Sequence, residues 1–188
     1  MIRSDFPYIP VPRLFYPFEE EAPFDKCSRC HAELLESNRE YMIEKALKPG
    51  DTIYEYTICF DCIEKSRGGI SSDSMQYMER FFLERVRPVE HRAKMIRKFD
   101  LDYRFWLDHC VVNGTPVDQM HEYQIMAHCQ GPYMVFSVFP YCLGEHAADE
   151  LVSNLSVATL KELDEFGDEL IDIPPELREL WKRKPVLI

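Results

Sequence analysis

Glycine is scarce in this chain, at seven of 188 residues, and none of the seven falls in a spacing that cradles phosphate. A P-loop or a dinucleotide fingerprint needs several glycines in fixed register so that backbone can approach the pyrophosphate, so both are excluded as sequence motifs. There is no HExxH pair and no Ser, His and Asp set in a recognisable context. No apolar run reaches signal-peptide length at the start, and none approaches the 18 or so residues a membrane-spanning helix requires. The expectation is a soluble, cytoplasmic protein without membrane contact. Basic residues are also in short supply: 22 against 33 acidic ones, for a formal charge of -11. Sequence-independent affinity for nucleic acid comes mainly from Lys and Arg, so that class of partner is disfavoured. The cysteine count is seven, an odd number that no complete disulfide framework uses.

What the chain does have is paired cysteine. "CSRC" places Cys27 and Cys30, and "CFDC" places Cys59 and Cys62. Two such pairs can present four thiolates to one zinc at about 2.3 Å each, in a closed tetrahedron that leaves no open position for water or substrate. A redox dithiol would occur as a single pair after a strand in a βαβ unit, which is not the context here. Between the pairs, "REYMIEKAL" (39–47) and "TIYEYTI" (52–58) read as strands, and "KPGD" (48–51) reads as their turn. After Cys59, "FDCIEKSR" is helix-compatible, so the second pair is expected at a helix start. His31 follows Cys30 directly and is read as a neighbour of the site, since four cysteines complete the shell. Knuckle, hairpin, then a helix carrying the last ligands resembles the treble-clef zinc fingers over residues 25–68. That resemblance implies one structural zinc per chain.

The second half repeats features of the first. Cys27 to Cys59 spans 32 residues, as does Cys110 to Cys142. "REYMI" (39–43) has a counterpart in "HEYQI" (121–125), and "ISSDSMQYMERFF" (70–82) has one in "LSVATLKELDEFG" (155–167). On this alignment Cys142 matches Cys59, Asn113 matches Cys30 and Glu145 matches Cys62. The second module is thus expected to be a degenerate one, held by apolar packing of "YMVFSVFPYCL" (133–143) against the first. A rebuilt second site from Cys110 and Cys142 with His109, His128 or His146 is the competing reading, although its spacing fits no standard zinc set.

The expected fold class is α+β: two tandem treble-clef-like modules, the first zinc-bound, the second degenerate, with additional helices. The divisions expected are a Pro- and aromatic-rich arm (1–24), a zinc module with helices (25–99) and a second module packed on the first (100–188). The arm has five prolines and is expected to lie on its own domain, with clasping of a partner, including oligomerisation, as the other option. A helix is expected over 73–86, capped by Ser72, with Met75, Met78, Phe82 and Val86 inward. A second helix (89–99) carries the one basic stretch, which reads as a solvated face with docking of the acidic helix (156–172) as the other option, and "PPELRELWKRK" (174–184) reads as a closing helix. The function these features favour is a zinc-stabilised interaction or scaffold protein with a protein partner. A nucleic-acid-binding finger and a thiol or metal enzyme built on Cys110 or Cys129 are the alternatives.

Overall fold

The computed structural model describes residues 5–171, and the expected helix at 174–184 lies outside them. The architecture is mixed α/β: an open six-stranded antiparallel sheet flanked by helices. In chain order the elements are β1 (Tyr8–Pro10), β2 (Glu40–Lys48), β3 (Asp51–Cys59), α1 (Phe60–Ser66), α2 (Ser72–Arg85), α3 (Pro88–Phe99) and α4 (Tyr103–Leu107). There follow β4 (Tyr123–Gln130), β5 (Tyr133–Val135), β6 (Tyr141–Gly144), α5 (Glu145–Val152) and α6 (Val157–Leu170).

The first hairpin forms where the sequence places its turn. Gly50 adopts φ 83, a conformation that costs glycine nothing and strains other residues, so β2 can reverse into β3 within two residues. β2 is then sandwiched between β3 and β4 in the strand order β1-β5-β4-β2-β3, with β6 also paired to β4. Both of its edges are therefore paired, and both of its faces are covered by other parts of the chain, since Tyr41 and Ile43 on one face and Glu44 and Ala46 on the other are all buried. The β2/β4 ladder runs from Glu40 opposite Gln130 to Leu47 opposite Tyr123 and joins the two halves of the chain.

The Pro-rich arm lies on this same sheet. β1 pairs with β5, a position at the sheet edge that tolerates Pro10, and Phe15 is completely buried beyond it. The Lys45 ammonium donates to the Tyr16 carbonyl at 2.7 Å, tying the arm to the central strand.

Several local expectations shift. α2 is capped by Ser71 rather than Ser72, because it is the Ser71 hydroxyl that accepts from the Ser74 N–H. The helix turns Ser74, Met78 and Phe81 inward, leaving Met75 and Phe82 half-buried. The run 133–143 is not one strand: β5 and β6 are separate, both pair with β4, and β5 packs under the arm. The acidic helix α6 meets Arg29, whose Nε lies 2.8 Å from Glu169, while Arg85 of the basic stretch pairs with Glu150 on α5 and Arg92 lies over the Phe6 ring.

The two halves share specific geometry. Cys27 N–H donates to the Ala32 carbonyl and His31 N–H to the Cys27 carbonyl; Cys110 N–H donates to Thr115 and Gly114 N–H to Cys110 in the same pattern. Both turns place a positive φ at the fourth residue after the cysteine, His31 at 57 and Gly114 at 73. Tyr41 faces Cys59 in the first hairpin, and Tyr123 faces Gly144 in the second. α1 has Cys59 as its N-cap, and α5 has Gly144. In the ladders Gly144 faces Tyr123 as Cys59 faces Tyr41, and Ala147 follows Gly144 at the three-residue spacing that separates Cys62 from Cys59. The caps of α2 and α6 contact each other reciprocally: Ser71 N–H donates to Thr159 Oγ1 at 3.1 Å, and Ser156 N–H donates to Ser74 Oγ at 2.9 Å.

Candidate metal centre

Four thiols converge where the first knuckle meets the end of the first hairpin. Cys27 is held by the turn whose bridge joins Lys26 to Glu33. Cys59 ends β3 and caps α1, and Cys62 stands in the first turn of that helix, near its positive end. The Ser28 N–H donates to the Thr57 carbonyl at 2.9 Å, while the Thr57 N–H donates to Ser28 Oγ, which fixes the knuckle against the strand.

All four Sγ atoms lie within 4.8 Å of one another, and Cys30 Sγ is 3.7 Å from Cys59 Sγ. A zinc tetrahedron with ligands at 2.3 Å has edges of about 3.8 Å, so the thiols stand at ligand spacing, and none is in a disulfide. The donor set and geometry fit zinc. Three of the four cysteines are buried and Cys30 is exposed, which gives an ion a way in. The Cys59 N–H donates to Cys27 Sγ at 3.4 Å. Burial works against ionisation of Cys30, yet the Ala32 N–H and the three neighbouring thiols outweigh it and lower Cys30 to about 7. Cys59 and Cys62 are pushed up by burial. A divalent cation supplies the charge that lets thiols raised in this way release their protons. Arg29 donates to the Cys62 carbonyl at 3.4 Å. His31 is exposed at its strained turn position and is not in the ligand set.

Among the described residues no other three His, Cys, Asp or Glu side chains converge in this way. Cys110 and Cys142 are bridge partners and both are buried, but Asn113 Oδ1 accepts from the Thr115 N–H, and Glu145 is engaged by the Glu122 N–H. His146 is exposed, 4.0 Å from Glu145; His109 pairs with Asp108; and His128 contacts Ser137 and Glu40. The space beside Cys110 is filled by Met120: a Cβ built on Gly144 would lie 3.6 Å from the Cys110 Cβ but 2.7 Å from the Met120 sulfur. Cys129 is fully buried and its thiol is raised by burial, the reverse of an activated nucleophile.

One group escaped the sequence reading. Glu44 is 2% exposed in the middle of β2, where Tyr54 OH donates to Oε1 at 2.9 Å and Tyr56 OH to Oε2. Burial raises its carboxyl to about 7 against the lowering effect of the two phenols. A carboxyl raised in the folded state stabilises the protein fully below its unfolded value of 4.5, and that contribution is lost as pH rises through 7. Glu44→Gln is therefore expected to gain on the wild type between pH 5 and 8, by roughly 3 kcal/mol in unfolding free energy. Denaturant titrations of both proteins at each pH measure the difference, and parallel pH profiles would contradict it.

No helix among the described residues is long and apolar enough to cross a membrane. No family model, no curated protein and no solved structure matches the chain.

Proposed function

We propose that this chain is a zinc-binding protein whose four-cysteine centre is structural, and that its halves are tandem treble-clef-like modules of which the second has lost its metal. The observation that carries the first statement is the set of four unbridged thiols at tetrahedral spacing. Four thiolates complete the coordination of zinc, so the metal holds the knuckle, hairpin and helix together and does no chemistry on a substrate. The tandem reading is supported by the shared knuckle hydrogen bonds, the matched hairpin registers and the reciprocal Ser71 and Ser156 caps. On this reading Asn113, Gly144 and Ala147 take the ligand positions beside Cys110, and the Met120 sulfur occupies the space a side chain at 144 would enter.

The expected result is one zinc equivalent per purified chain, measured by elemental analysis, and a cobalt-substituted form with tetrahedral thiolate absorption. A metal-free chain would remove the central claim, and two equivalents would mean a second site after all.

The biological task that fits such a body is to hold another protein. Phe18 and Leu14 on the arm are exposed at 64% and 42%, and the acidic surface disfavours nucleic acid. Phe18→Ser is expected to release co-purifying protein with zinc content unchanged. A partner retained by that variant would put the contact elsewhere.

A further inference from the structure

Away from the cysteines, a row of side chains crosses the sheet in successive cross-strand pairs: Tyr56, Glu44, Met126 and Tyr141. Among the described residues no basic group forms an ion pair with Glu44, and the groups acting on its carboxyl are the two phenols. Its strand neighbour Lys45 points to the opposite face and pairs with Glu55 at 2.8 Å. Packing does not require an acid at this depth, since the β4 residue directly opposite is Met126. A buried acid without a cation is costly, and such groups concentrate at sites that bind something.

Above the row, α1 closes a cavity of about 170 Å³. Tyr56, Phe60, Phe139 and Tyr141 line it along with Glu44, and Glu64 and Arg67 stand where it meets solvent. Those two exposed charges pair with each other at 3.0 Å, so Glu44 is the uncompensated acid of the cavity. We propose that this cavity binds a small organic cation, an alkyl- or arylalkyl-ammonium, whose charged head meets Glu44 and whose apolar body lies among the aromatic rings. Aromatic rings attract a desolvated cation, and the carboxylate supplies the counter-charge. A neutral ligand of equal shape gains neither, and an anion is opposed by Glu44. The raised carboxyl is the expected condition of this acid when no cation is beside it. The cavity is distinct from the cysteine cluster, so the two sites can be tested separately.

The probes are phenethylammonium with phenethyl alcohol and phenylacetate as its neutral and anionic counterparts. Each is titrated by calorimetry into the zinc-loaded full chain at pH 7.5. The ammonium alone is expected to bind, and Glu44→Gln is expected to weaken it by about tenfold or more at unchanged zinc content. Equal binding of the three probes, binding of none, or an unchanged affinity in Glu44→Gln overturns the proposal. If Glu44→Gln does not hold its zinc, Phe139→Leu takes its place: it is expected to weaken the ammonium several-fold, and an unchanged affinity again overturns the assignment.

Discussion

Cys59→Ser is expected to release the metal and to unfold the chain as a unit, with the loss of structure extending well beyond the knuckle. Cys59 is at once a ligand, the last residue of β3, the N-cap of α1 and the cross-strand partner of Tyr41. Serine is a poor ligand for zinc, and three thiols leave the centre incomplete. Structural zinc can supply on the order of 10 kcal/mol of apparent folding free energy, as much as the entire net stability of an ordinary domain. The damage has a direct path into the core, because β3 covers one side of β2 and β2 in turn pairs with β4. Zinc content together with a denaturant titration followed by circular dichroism measures the effect. The wild type should show one cooperative transition, which in Cys59→Ser is lost or moved to far lower denaturant. A metal-free variant with the wild-type midpoint would make the centre dispensable to the fold. Acidification should mimic the substitution, since protons compete with zinc for the thiolates.

The second large effect is a gain. On the tandem reading, Asn113→Cys, Gly144→Cys and Ala147→Cys add to Cys110 the three ligands that the second module lacks. Met120→Ala must accompany them, because a side chain at 144 would otherwise run into the Met120 sulfur. The backbone is ready for the exchange: Gly144 has φ -78 and ψ 160, which any residue adopts, and a Cβ there points to Cys110 at ordinary contact distance. The fourfold variant is expected to carry two zinc equivalents per chain where the wild type carries one. The same variant with Cys142 as the intended ligand in place of residue 144 should carry one, since Cys142 holds the ladder position of Thr57. One equivalent in both variants would break the equivalence between the halves.

The metal centre was legible because CxxC is a local signal: the turn that brings two thiols together is written in four residues, and the 28 between the pairs read clearly as a hairpin. The register that the tandem reading gives the second half was not. There the return strand is split by the excursion at 136–140 between β5 and β6, and on the tandem reading the residue in the place of Cys59 is a glycine, which leaves no side chain to align. Cysteine spacing alone aligns Cys142 with Cys59, two positions before the residue that the tandem reading favours. Ser72 was preferred to Ser71 for a similar reason, since adjacent serines differ only in which hydroxyl reaches the third N–H. Glu44 was invisible because an acid alternating with apolar residues in a strand reads as a solvent-facing position, and the groups that cover it, the β3 tyrosines and α1, are brought over that face only by the tertiary fold. The arm could be read as extended from its prolines, but its seat along β5 depends on an edge that no local pattern announces.

The ladder between β2 and β4 has a consequence for how this chain becomes ordered. Its eight residue pairs connect segments from opposite halves, so each half alone carries a strand whose outer edge has no partner. Closing that ladder demands a long loop before any contact in it is made, which places it among the slower steps of folding and leaves two sticky edges exposed in the meantime. A cut at residue 99 would therefore yield pieces that pair with copies of themselves or with each other. The seam at which β2 meets β4 is also the last place at which the chain can safely be divided.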